Sequence, residues 1–245
     1  MVDASYFDAK YFSGGGKTTA PDMIQGRLGD PVAEAIAKLL RDNFLEPGNI
    51  ALEFGCGRGA VVRELRKLGV NAWGFDVSQH AVDQVPRQVY LRLGDATDNW
   101  RWLSNASKLV YSIEVLEHIP EVSVPHVFSE AYRVLQVGGY LVCSIATSDD
   151  LERVERILQE HPEQRDESHV TSKSKEWWYD AGAKEGFAPL SDRAKGLQEY
   201  LVPMTCSPYH SHIDRAPPWT PLDDSPFELY GKFKWTLLVW RKDSY

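Results

Sequence analysis

Two hydrophobic rhythms take turns along this chain as far as Thr147. Val32, Ile36, Leu39 and Leu40 recur at helical spacing and predict a helix from Asp30-Pro31 to about Phe44. Asp is a good N-cap, and Pro suits the first helical position. Pro47-Gly48 marks a turn, and Asn49 to Phe54 is a short apolar run that reads as a strand. A second helix turns Val61, Val62, Leu65 and Leu68 inward and stops at Gly69. Further strands are predicted at Val70–Phe75, Val89–Leu93, Lys108–Ile113 and Tyr140–Ala146. Ser78 can cap a short helix, a longer helix covers roughly Ser123–Leu135, and Gly138-Gly139 reads as the turn after it. Strands alternating with helices imply a mostly parallel sheet covered on both faces.

Beyond Thr147 the rhythm loosens. Leu151, Val154, Ile157 and Leu158 suggest one helix, and Lys173 to Lys184 a second, ahead of Gly186-Phe187. The last clear strand runs from Lys232 to Trp240. Between about 191 and 231 lies a Pro- and aromatic-rich stretch, MTCSPYHSHIDRAPPWTPLDD included, long enough to read as a lid over a site. The irregular segment 1–28 carries Tyr6, Phe7, Tyr11 and Phe12, too much apolar surface for a simple disordered tail, and is expected to pack over the domain at 29–245.

Composition narrows the function classes. The chain has 245 residues and a formal net charge of −8, with no long Lys/Arg block. That makes it a poor candidate for an extended nucleic-acid surface. Three cysteines, with no C-x-x-C pair, argue against a disulfide framework. No apolar run reaches membrane-span length, and the N-terminus lacks the basic-then-apolar form of a signal peptide. A soluble protein of a reducing compartment, the cytoplasm, is the expectation.

In open α/β sheets, ligands bind beyond the carboxyl ends of the strands. Four successive predicted strands bring an acidic residue to that edge: Glu53 with Gly55, Asp76, Asp95 and Glu114. The stretch LEFGCGRGA at 52–60 fits the spacing G-x-G-x-x-A of a dinucleotide loop. Its glycines allow a ligand close approach to the backbone. Asp76 can accept the hydroxyls of a ribose, and Asp95 an exocyclic amine such as adenine's. Glu53 discriminates between ligands. A pyrophosphate against helix amides would be repelled by it, whereas an ammonium or sulfonium would be attracted.

With these residues in place, the chain resembles the class I S-adenosylmethionine-dependent methyltransferases of small-molecule type. The matching pieces are LEFGCGRG at 52–59, GFDVS at 74–78, GDAT at 94–97, SIEVLEHIP at 112–120 and RVLQVGGYLVCSI at 133–145. The resemblance implies a Rossmann-like, doubly wound, seven-stranded sheet, mostly parallel with an antiparallel last strand. It implies S-adenosyl-L-methionine as cofactor. Gly55 and Gly57 would line its methionine moiety, with Cys56 between them offering its backbone. Asp76 would hold the ribose, with Val77 against the adenine, and Asp95 and Ala96 would flank that ring. Glu114 would line the cofactor and face the substrate. Gln25 or Arg27 would help close over it.

The expected reaction is in-line displacement of the methyl group to an oxygen, nitrogen, sulfur or carbon acceptor. A neutral thioether leaves, so the displacement itself asks for neither a metal nor a covalent intermediate, and proximity supplies much of the rate. His118, in EVLEHIP, is a candidate general base. His210 and His212 are candidate substrate-facing groups in the 191–231 stretch. With Cys206 and Asp214 they form C-x3-H-x-H-x-D, a spacing of no strong metal-site type, so no metal is expected. Tyr209, Trp219, Phe227 and Tyr230 would wall a pocket for a small, partly apolar or aromatic substrate, while Trp177-Trp178 read as core. Three alternatives stand beside this reading: methylation of a protein side chain, a nicotinamide-dependent oxidoreductase, and a non-catalytic nucleoside-binding module.

Overall fold

The computed structural model describes residues 6–8, 11, 31–85, 90–149, 159, 168–197 and 236–244. In chain order the helices are α1 (Pro31–Phe44), α2 (Ala60–Lys67), α3 (Gln79–Asp83), α4 (Val124–Val134) and α5 (Lys175–Lys184). The strands are β1 (Ile50–Phe54), β2 (Asn71–Asp76), β3 (Leu91–Leu93), β4 (Ser107–Ile113), β5 (Leu135–Ile145), β6 (Phe187–Pro189) and β7 (Thr236–Lys242). They form one seven-stranded sheet in the order β3-β2-β1-β4-β5-β7-β6. The pairs among β1 to β5 are parallel, and β7 runs antiparallel to both β5 and β6. This is the Rossmann-like, mostly parallel sheet with an antiparallel last strand that the resemblance implied.

Strand periodicity sends alternate residues to opposite faces. Ala51, Leu109, Tyr111, Val142 and Val239 face α1 and α2, packing with Leu39, Leu40, Val62 and Leu65. Leu52, Phe54, Val110, Leu141 and Trp240 face the other way, against Val127, Phe128 and Ala131 of α4 and Trp178 of α5. Trp178 is fully buried, as its core reading expected, and Trp177 meets it edge-on with ring centroids 4.9 Å apart. Burying each large aliphatic side chain contributes about 1.5–3 kcal/mol, so both apolar faces are needed.

Three features depart from the sequence pattern. Gly138-Gly139 is no turn between elements but lies inside β5, which begins at Leu135. Ser107 pairs with Leu135 and Leu109 with Tyr140, so the glycines form a bulge. Gly138 has φ 73°, and its carbonyl accepts from Lys108 Nζ at 2.8 Å, which holds the looped-out backbone to the ladder. The three-residue β6 was not predicted. Residues 191–197, read as the start of the lid stretch, are helical. The rest of that stretch, with Cys206, Tyr209, His210, His212, Asp214, Trp219, Phe227 and Tyr230, lies outside the described residues. So do Phe12, Gln25, Arg27, Leu151, Val154, Ile157 and Leu158. No helix among the described residues is long and apolar enough to cross a membrane.

Candidate active site at the carboxyl edge of the sheet

β1 delivers the glycine loop. Gly55, Gly57 and Gly59 all have positive φ, a region that L side chains rarely adopt. Gly55 (φ 68°) is also crowded, because a Cβ there would overlap the methyls of Val115. The loop is tied to the end of β2. Gly57 N–H donates to Asp76 Oδ2 at 2.7 Å, and Ser78 N–H to Asp76 Oδ1 at 2.8 Å. Burial pushes the Asp76 carboxyl up, while these two amides pull it back down. Each carboxylate oxygen has more than one acceptor site, so Asp76 can hold the loop and still receive ribose hydroxyls. Cys56 N–H donates to Phe75 O at 3.1 Å, and Cys56 O accepts from Gly59 N–H at 2.7 Å. The Cys56 thiol is buried, and that burial, reinforced by the charges of Asp76 and Glu53, raises its pKa well above the ordinary thiol value. Burial of this kind keeps a thiol protonated and poorly reactive.

Glu53 is not at the strand end. It is the penultimate residue of β1, level with Gly74 of β2 and Tyr111 of β4. Its side chain is 4 % exposed, beneath the loop. Burial holds its carboxyl well above the usual carboxylate range, and the Asp76 charge adds to this; the Tyr111 hydroxyl and Arg63 oppose it. The Tyr111 hydroxyl faces this carboxyl at the edge of hydrogen-bond geometry, and no hydrogen bond closes on Glu53 Oε2. A buried carboxyl, with the Val62 amide beside it but one oxygen that no hydrogen bond reaches, lies under a loop built for backbone approach.

The other two acids are anchored differently. Asp95 follows β3 and closes a turn, its Oδ1 accepting from both the N–H and the hydroxyl of Thr97 at 2.8 Å. Val77 is half-buried and Ala96 is buried. The loop carrying Asp95 and Ala96 is fixed by α4: Glu130 Oε2 accepts from Trp100 N–H at 2.6 Å, and Arg133 donates to the carbonyls of Trp100 and Trp102. Glu114 sits just past β4 with φ 53°, a strained position for a residue with a side chain. Ser144 holds it there. The Ser144 hydroxyl donates to Glu114 Oε1 at 2.6 Å, and the Glu114 N–H donates to Ser144 O at 2.9 Å.

His118 lies in the 3-10 turn Leu116–His118 that follows, with Nδ1 against the Ser168 carbonyl and hydroxyl at 3.1 and 2.8 Å. Phe7 packs edge-on against its ring, and the Phe7 carbonyl accepts from Ser78 Oγ. Glu53, the glycines, Asp76 and Glu114 are thus gathered at one edge of the sheet. Sequence reasoning missed Tyr111, Ser144 and Glu117 there. Glu117 was within the EVLEHIP stretch already singled out. Tyr111 shows only through the register of β4 with β1.

A methyltransferase-domain family matches residues 25–194, more than half of the chain. Among curated proteins none matches. Solved structures resemble it at low identity. One is the Haloferax volcanii complex between the Trm112 methyltransferase activator and a methyltransferase, at 19% identity and TM-score 0.61, over 93% of this chain and 95% of that one. Another is the geranyl diphosphate C-methyltransferase of Streptomyces coelicolor, with Mg2+, geranyl diphosphate and S-adenosyl-L-homocysteine, at 17% identity and TM-score 0.56, over 85% of this chain and 78% of that one. A third is the Haemonchus contortus phosphoethanolamine N-methyltransferase 2, with phosphomonomethylethanolamine and S-adenosylhomocysteine, at 16% identity and TM-score 0.51, over 86% of this chain and 52% of that one. These likenesses concern the fold, which is the one the motifs at 52–59, 74–78 and 94–97 led us to expect. By its sequence match and its architecture together, the chain belongs to the methyltransferase-domain family.

Proposed function

We propose that the protein transfers a methyl group from S-adenosyl-L-methionine to a small molecule. The observation that carries this reading is Glu53, a buried carboxyl with an oxygen that no hydrogen bond reaches, beneath the Gly55–Gly57 loop. A cationic ligand satisfies it, and the dinucleotide pyrophosphate does not. Asp76 then takes the ribose, Val77, Asp95 and Ala96 surround the adenine, and Glu114 faces the acceptor. The segment around Phe7 closes over the cofactor, an assignment supported by the Ser78–Phe7 hydrogen bond and by the packing of Tyr11 near Ala81. The geranyl diphosphate and phosphoethanolamine enzymes of like fold, each solved with S-adenosylhomocysteine, support both the cofactor and a small acceptor.

The reaction forms a bond from the acceptor to the methyl carbon as the carbon–sulfur bond breaks. The electron pair stays on sulfur, which becomes a neutral thioether. The chain's work is to hold donor and acceptor in line and exclude water. Calorimetry with S-adenosylhomocysteine and with NAD tests this. Binding of the first alone is expected, and Asp76→Ala should weaken it by about 1–3 kcal/mol, the loss of hydrogen bonds to a charged group. Binding of NAD alone would overturn the reading.

A further inference from the structure

One cluster of chemistry-bearing side chains lies beside this site and is unused by the reaction as described. Glu117, His118 and His169 each offer a ligating atom, and these atoms lie within 4.8 Å of one another. The two imidazole rings meet at a centroid distance of 4.8 Å, inclined by 72°. Three contacts bring the segment carrying His169 to the end of β4. Thr171 N–H donates to Glu117 O at 3.0 Å, Thr171 Oγ1 to Ile119 O at 2.6 Å, and Ser168 holds His118 Nδ1.

The carboxyl supplies the second observation. Glu117 is fully buried; its Oε1 accepts from Ala146 N–H at 3.0 Å, and no hydrogen bond reaches Oε2. The contacts that dock residues 168–171 do not reach that oxygen, and its acidic neighbour Glu114 supplies a donor only when one of the two carboxyls is protonated. A buried acceptor without a donor costs free energy unless a cation meets it. A His118 ring that gives its Nδ1 proton to the Ser168 carbonyl carries its lone pair on Nε2. Metal-bound histidine commonly gives its other ring N–H to a carbonyl in this way.

We propose that Glu117, His118 and His169 bind one divalent transition-metal ion, which takes an oxygen of the methyl acceptor. The proposal rests on the methyltransferase reading only for the role of the ion, not for its binding. Two imidazoles with one carboxylate suit zinc and its neighbours better than magnesium or calcium. Three protein ligands with positions left open are the form of a catalytic site rather than a structural one. Zinc ligands at about 2.0–2.2 Å from the ion are at most about 4.4 Å apart, so small side-chain rotations close the set. The two histidines are half-buried, which leaves an approach for a ligand. A hydroxyl that coordinates the ion loses its proton to solvent more readily. Its oxygen pair then forms the bond to the methyl carbon, the carbon–sulfur pair passes to sulfur, and the ion is unchanged.

The full chain, stripped with a chelator, is titrated with Zn2+ against a chromophoric competitor and then assayed for bound metal after dialysis. S-adenosylhomocysteine binding is measured on the same samples. One zinc per chain is expected, with Mg2+ far weaker. His169→Ala should weaken zinc binding about tenfold or more and leave S-adenosylhomocysteine binding unchanged. Because Glu117 is buried, Glu117→Gln could fail to fold, so the half-buried His169 carries the test, with a thermal melt to confirm folding. No zinc binding, zinc held equally well by His169→Ala, or Mg2+ held as tightly as Zn2+ would overturn the site. S-adenosylhomocysteine binding without zinc removes the metal site and leaves the methyltransferase reading; zinc without S-adenosylhomocysteine does the reverse.

Discussion

Glu53 and Asp76 are both buried carboxyls on neighbouring strands, yet the protein treats them oppositely. Asp76 accepts two backbone amides, whereas no hydrogen bond reaches Glu53 Oε2. The Glu53 carboxyl has its pKa raised in the folded state, so the sign of its linkage is fixed. Its folded form holds the proton more tightly than the unfolded chain does, and stability falls as pH rises from the unfolded value towards the folded one. Glu53→Gln removes that dependence. We expect the variant, free of cofactor, to melt at or above the wild-type temperature at pH 8, and to show a shallower fall in melting temperature above pH 4.5, the buried Glu117 carboxyl keeping its own share. The same variant should bind S-adenosylmethionine more weakly, since the ammonium loses its counter-charge. A lower melting temperature together with unchanged affinity would contradict both assignments. Glu53 was legible in the sequence because it lies two residues before Gly55, inside one local motif. His169 was not, because contacts such as those of Thr171 and Ser168 bring it to the end of β4 across some 50 residues of chain.

At the scale of elements, α4 reaches over the sheet edge to fix the loop that carries Asp95 and Ala96. Arg133 and Glu130 form an i,i+3 pair, 2.7 Å apart, and both hold backbone groups of the loop after β3. The pairing lowers the Glu130 carboxyl below its ordinary value, with Arg133 the first cause. Arg133→Ala leaves the Trp100 and Trp102 carbonyls without this donor. A destabilisation of about 1–3 kcal/mol in urea is expected from the lost charge-assisted bonds, together with weaker cofactor binding. Unchanged unfolding would show that the loop is held by the packing of Trp100 on Phe54 and Phe75 alone. Elements with their own periodicity, α1 and β4 among them, were legible to within a residue or two. β6 was not, because three residues ending in Pro are too short to show alternation and become a strand only by pairing with β7. The bulge at Gly138 was likewise invisible, since a Gly-Gly pair reads the same whether the ladder stops or bows out.

The whole molecule is stitched by a strand that comes last in sequence but lies inside the sheet. β7 separates β5 from β6 and is buried along most of its length. At its end the buried Lys242 ammonium donates to Asn105 Oδ1, Tyr132 O and Leu135 O at 2.9, 3.0 and 2.9 Å, so all three of its hydrogens are used where α4 meets β5. This arrangement orders events in time. The strands of the cofactor edge, β1 to β4, pair among themselves and can form before the rest of the chain exists. β6 can do nothing of the kind: Phe187 waits for Lys242, and until β7 arrives β5 is an open edge of Leu141, Val142, Cys143 and Ile145. Pulse-labelled hydrogen exchange during refolding should show β1 and β4 protected first, with β6 and β7 gaining protection together and later. Simultaneous protection throughout would rule out this order. During synthesis, the carboxyl edge of β1 to β4 would then take shape while the apolar edge of β5 is still exposed, and β7 would act as that edge's own internal chaperone.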